Sequence, residues 1–188
     1  MEGSKLANAV FWKRSKWRLD DWECMECRLG CLQVTFVPAL ATEQAPLTVV
    51  NIGAACEEEF AQCLGSAQAM LASASVVCAT TGMDISDGAK QLFKAQGCEQ
   101  LRSVHKEVLG KELPWTEVVD KEQLRCSDGV WISEPLMALA ALDGHGAPPR
   151  DGTGEICRQT LPLDHLLSLV VLQNRHAQDA LMANLSMC

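Results

Sequence analysis

The chain has 188 residues, 48% of them apolar and 21% charged, enough for one domain with a real core. Its formal charge of −8 works against tight, non-specific binding of duplex nucleic acid, but leaves room for a small phosphorylated substrate or a short single strand. No apolar run approaches the roughly 20 residues of a membrane span. Met1-Glu2-Gly3-Ser4-Lys5 leads toward the basic stretch Trp12–Trp17 without an apolar signal core, so the expectation is no membrane partner and an intracellular, cytoplasmic chain.

Ala9–Trp12 reads as a strand, followed by a basic turn and a short continuation, Trp17–Leu19. Asp20–Glu23 reads as an acidic connection. Leu29–Val37, rich in β-formers and closed by Pro38, predicts a second strand, and Leu47–Ile52, ended by Gly53, a third. Glu57–Ala72 predicts a helix, with Phe60, Leu64, Ala67 and Leu71 on one stripe and acids in its first turn. Val76–Ala79 predicts a short buried strand. Ser86 or Asp87 can cap a helix running to Gln96, with Gly97 as its stop. Glu99–Leu109 predicts another short helix. Gly129–Ser133, Leu136–Leu142 and Leu166–Leu172 read as strands, and Asp143–Glu155 as a Gly/Pro/Asp loop. Asn174–Met187 predicts a terminal helix. Strands interleaved with helices define a mixed α/β layered domain over residues 1–173, with a helical tail over 174–188.

Ten cysteines are scattered through apolar or helical surroundings, where free thiols act as small hydrophobes. Cys24, Cys27 and Cys31 have the close spacing of metal thiolates, but no second CxxC pair accompanies them, and the core reading is preferred. Leu161-Pro162-Leu163-Asp164-His165-Leu166 is the sharpest motif. Pro162 breaks any preceding element, so Asp164 and His165 stand at the mouth of the next strand. A carboxylate beside an imidazole there suits phosphoester chemistry: one can hold a divalent cation, the other polarise a phosphoryl oxygen.

Five segments in order resemble the endonuclease/exonuclease/phosphatase superfamily, which includes pancreatic deoxyribonuclease, abasic-site endonucleases and RNA deadenylases. Ala9–Trp17 resembles an early strand of that family. Leu47–Ala54 is similar to the strand ending in N-T-H-L, and Val76-Val77-Cys78 leads to the place of G-D-F-N. Ser127-Asp128-Gly129-Val130-Trp131-Ile132-Ser133 resembles I-D-x-V-W-V-S, and Leu161–Leu166 resembles L-P-S-D-H-L. The resemblance reaches Leu172 and covers the C-terminal two-thirds of a typical member.

This resemblance implies a partial two-sheet α/β sandwich and a Mg²⁺-dependent phosphodiesterase acting on RNA or another phosphoester. The implied catalytic residues are Asp128, Asp164 and His165: Asp128 orients the imidazole, Asp164 lies near the metal, and His165 contacts the scissile phosphate. The chain departs from the pattern at Ala79-Thr80-Thr81-Gly82, which stands for G-D-F-N, with Thr80 in the Asp position and Gly82 in the Asn position. The His of N-T-H-L falls at Gly53. A threonine cannot deprotonate water at neutral pH, and loss of one such group costs orders of magnitude in rate. The expectation is a divergent member with impaired catalysis, a pseudoenzyme; the alternative is a non-catalytic remnant serving as a binding or scaffold module. The segments carrying Asp128 and Asp164 are expected to share one sheet, with Asp128 in hydrogen-bonding reach of His165. Incomplete sheets imply exposed edges and self-association.

Overall fold

The computed structural model describes residues 9–25, 30–40, 45–54, 56–73, 75–82, 88–113, 116–118, 124–141 and 170–174. The strands are β1 (Trp17–Met25), β2 (Cys31–Pro38), β3 (Leu47–Gly53), β4 (Val76–Thr81), β5 (Arg102–Ser103), β6 (Glu117–Val118), β7 (Leu124–Arg125), β8 (Gly129–Ile132), β9 (Leu136–Ala141) and β10 (Val170–Asn174). The helices are α1 (Glu57–Leu71), α2 (Gly88–Ala95) and α3 (Val104–Leu109). Six strands form one sheet in the order β1-β2-β3-β4-β8-β5; β9 pairs with β10, and β6 with β7. Within the large sheet only β3 and β4 run parallel. That pairing needs a crossover, which α1 supplies.

One face of the large sheet is well covered. Phe60, Cys63, Leu64, Ala67 and Leu71 line one side of α1 and meet Cys31, Val50, Ile52, Val76, Cys78 and Trp131 from the strands. Phe93 of α2 lies between two of these aromatics, with ring centroids 5.7 Å from Phe60 and 4.8 Å from Trp131. Burial of side chains of this size contributes roughly 1.5–3 kcal/mol each. Three glutamates in the first turn of α1 complement its dipole where Cys56 gives no side-chain cap.

The opposite face is covered more thinly. Val104 of α3, Ile132 and Leu136 are its buried members, while Leu47, Val77, Val130, Ala138, Ala141 and Leu172 are only partly buried. Near β2 the chain before β1 folds over this face: Trp12 approaches Phe36 with ring centroids 5.2 Å apart. A cavity of about 190 Å³ lies between the sheets, bordered by Leu47, Val77, Leu136 and Leu172.

Four expectations change. Ala9–Trp12 is not a strand, and the acidic segment read as a connection lies inside β1, where the register slips between Leu19 and Asp21. β1 is an edge strand, so its acids point to solvent and its pairing to β2 needs no apolar alternation. Glu99–Leu109 is not one helix. Arg102 and Ser103 form β5 against Ile132 and Trp131, and the Ser103 hydroxyl then caps α3 by accepting from the Lys106 N–H at 3.3 Å. The last strand, described from Val170, runs on to Asn174 instead of ending at Leu172, so the expected terminal helix cannot begin at Asn174; residues 166–169 lie outside the described residues. The rest of that tail, the 143–155 loop and the capping residues Ser86 and Asp87 lie outside the described residues.

Candidate functional site

The ends of β3, β4 and the entrance to β8 converge on one rim of the large sheet. Gly53 is in register with Thr81, and Thr80 is in register with Gly129, which places Asp128 just beyond the end of β4. The Thr81 hydroxyl donates to Asp128 Oδ1 at 2.5 Å. From behind, the fully buried Thr116 Oγ1 accepts from the backbone N–H groups of Ser127 (2.9 Å) and Asp128 (2.8 Å). The approach to β8 is therefore fixed at two successive peptide groups, and the carboxylate is held in a defined direction.

Strand alternation decides which threonine faces this carboxylate. Val76, Cys78 and Thr80 point to the buried helical side, while Val77, Ala79 and Thr81 point to the other. Thr80, read from the sequence as the replacement for an acid, is 4% exposed and its hydroxyl bonds the Gly129 carbonyl at 3.4 Å. Thr81 occupies the place beside Asp128 instead. The period of 2 along β4 was the available signal. Nothing in the sequence singled out Thr116. Gly82, read as the Asn position, has φ +92°, a conformation that side chains rarely adopt, and it turns the chain off the sheet after β4.

Asp164 and His165 lie outside the described residues. The strand that follows them, β10, pairs with β9 and not with the large sheet that Asp128 enters, which corrects the expectation of a shared sheet. The physical reason is the short link from β8 to β9: the chain leaves the large sheet at Ser133, crosses to the other layer, and β10 adds to the strand it finds there.

Among the described residues no group of three or more His, Cys, Asp or Glu side chains gathers to hold a metal ion. On this rim they supply one carboxylate beside a hydroxyl donor. That set does not fit Mg²⁺, which needs near-octahedral oxygen coordination and usually more than one anionic ligand. Of the three closely spaced thiols, Cys31 is fully buried in the apolar core, and Cys27 lies outside the described residues. Burial holds the Cys78 thiol far above its ordinary range, with Cys98 adding to the shift; Cys98 is itself raised by burial and then by Glu99. Both behave as hydrophobes. No described helix is long and apolar enough to cross a membrane.

This arrangement, with a six-stranded mixed sheet, a smaller sheet and flanking helices, is an α/β fold of the endonuclease/exonuclease/phosphatase type. The human nocturnin catalytic domain, solved with a bound sulfate anion, is similar at a TM-score of 0.58 and 16% identity, over 85% of this chain and 60% of that one. ANGEL2, a 2′,3′-cyclic phosphatase solved with adenosine-2′,3′-vanadate, gives a TM-score of 0.53 and 14% identity, over 85% of this chain and 68% of that one. A Bacteroides thetaiotaomicron protein of the endonuclease/exonuclease/phosphatase family gives 0.52 and 9%, over 86% and 67%. The chain thus spans about three-fifths of the nocturnin domain. No family model matches the sequence, and no curated protein does.

Proposed function

We propose that the chain is a divergent relative of the superfamily's Mg²⁺-dependent phosphodiesterases in which catalysis on RNA or related phosphoesters is impaired. The observation that carries this reading is the Thr81–Asp128 hydrogen bond. A hydroxyl donor takes up one oxygen of the carboxylate on the rim, at the end of the strand where the resemblance calls for an acid. Thr81 at neutral pH neither deprotonates water nor contributes a negative charge to a cation. Asp128 still serves to position: a carboxylate fixed by Thr81 and by the grip on its own backbone can orient an imidazole, and His165 is the residue proposed to meet it, with Asp164 proposed toward the metal.

The test is hydrolysis of a short oligoadenylate and of bis-p-nitrophenyl phosphate by the purified chain, with Mg²⁺ and with EDTA. The expected result is no turnover above the EDTA control. Mg²⁺-dependent turnover that His165→Ala abolishes would overturn the claim of impairment. The alternative reading, a remnant that binds without catalysis, is favoured by the same hydrogen bond; it requires that oligoadenylate binding, if found, survive EDTA.

A further inference from the structure

A cavity lies away from the rim, at the β5 edge of the large sheet. It has a volume of about 490 Å³ and is bordered by α2, the chain leading into β5, and the start of α3. Its floor is apolar: Phe93, Leu101 and Trp131, all at or below 7% exposure. Its rim is cationic, with Lys90, Lys94 and Lys106. A cavity of this size and lining falls in the range of small-molecule sites.

The charged groups around it are unevenly paired. Arg102 pairs with Glu107 and donates to the carbonyl of Leu136 at 2.7 Å. Lys90 stands 3.9 Å from Glu112, whereas neither Lys94 nor Lys106 has an ion-pair partner among the described residues. Of the two carboxylates on the lining, Glu107 is taken by Arg102 and only Glu99 remains to offset two lysines. Two unpaired lysines against one unpaired carboxylate leave the lining with an excess of positive charge. A ligand that met the lysines would be an acceptor-rich anion, and the floor would receive an apolar, planar body.

We propose that this cavity binds a small aromatic anion, its acidic head between Lys94 and Lys106 and its ring system over Phe93, Leu101 and Trp131. The head is a carboxylate or a phosphate, since both present several acceptors and negative charge. The site is separate from the Asp128 rim and does not depend on the catalytic reading.

Calorimetric titration of the full chain tests it with naphthoate for the carboxylate and adenosine monophosphate for the phosphate. Naphthalene methanol, adenosine and inorganic phosphate are the partial ligands. At low salt at least one aromatic anion is expected to bind in the millimolar range or tighter. Its uncharged counterpart and inorganic phosphate should each be at least about tenfold weaker, a difference of roughly 1.4 kcal/mol. The arm that binds identifies the head group. The double substitution Lys94→Gln/Lys106→Gln changes only exposed side chains; it should weaken binding about tenfold with melting unchanged, and added salt should weaken the wild type. Absence of binding by both aromatic anions at several millimolar, equal affinity for the uncharged compounds, or unaltered affinity in the lysine double variant would each overturn the proposal.

Discussion

Thr116 supports Asp128 without touching its carboxylate, and its replacement gives a quantitative test of how the rim is held. In Thr116→Val the side chain keeps its shape and loses the oxygen that accepts from Ser127 and Asp128 at 2.9 and 2.8 Å. Thr116 and Ser127 are both fully buried, so the Ser127 N–H has no route to water; Asp128 is half-buried and its N–H can be partly hydrated. One fully unpaired buried donor costs about 1–3 kcal/mol, and a partly solvated one about half of that. The expected loss is therefore about 1.5–4.5 kcal/mol, a large share of the roughly 5–15 kcal/mol by which a domain is stable. Urea unfolding gives the total, and amide hydrogen exchange gives the place: protection at Ser127 and Asp128 should fall while that at Ile52 and Cys78 follows only the global change. A loss below about 0.5 kcal/mol with protection at both amides unchanged would refute the argument that this one oxygen fixes the entrance to β8.

Phe60→Ala should cost about 3–5 kcal/mol, because the ring is 1% exposed and meets Phe93 edge-on; chemical denaturation measures it. Cys78 gives a pH dependence whose sign follows from burial. Its folded pKa is raised, so above the ordinary value near 9 the unfolded thiol ionises while the folded one stays neutral. Stability is full below that pH and falls by about 1.4 kcal/mol per pH unit above it, a slope that should flatten in Cys78→Ala as followed by melting between pH 8 and 10.5 (roughly the span of free-thiol and lysine titration). The thinly covered sheet face is expected to make the isolated chain self-associate or melt early; a concentration-independent compact monomer with a cooperative transition, seen by sizing chromatography and calorimetry, would contradict this.

The β3–α1–β4 unit was legible from the sequence because each part states one period strongly: alternating burial in both strands, a 3–4 stripe in α1. β1 was not, because an exposed edge strand carries no inward alternation to read, and its acids resemble a loop. Arg102–Ser103 was hidden for another reason. Two residues are too short to show a period, and β5 exists through pairing with Ile132 and Trp131, a tertiary fact. At the site, the place of Asp128 followed from its resemblance to a known motif, whereas its partners did not. Thr81 could have been chosen over Thr80 from strand alternation, but Thr116 is brought in by backbone geometry that leaves no pattern in the residues around it.

The strand order also sets a sequence in time. β1, β2 and β3 are joined by chain neighbours, so this meander can form from local encounters. β4 and β8 are different: Thr80 and Gly129 are 49 positions apart, and the Thr81–Asp128 contact spans 47. Closing such a loop costs entropy before any contact repays it, which makes non-local pairings slow and late. The rim around Asp128 is accordingly a late product of folding, made only after the crossover helix has docked. By the same reasoning it is among the first parts to open when the chain is stressed, while the meander beside it still holds its hydrogen bonds.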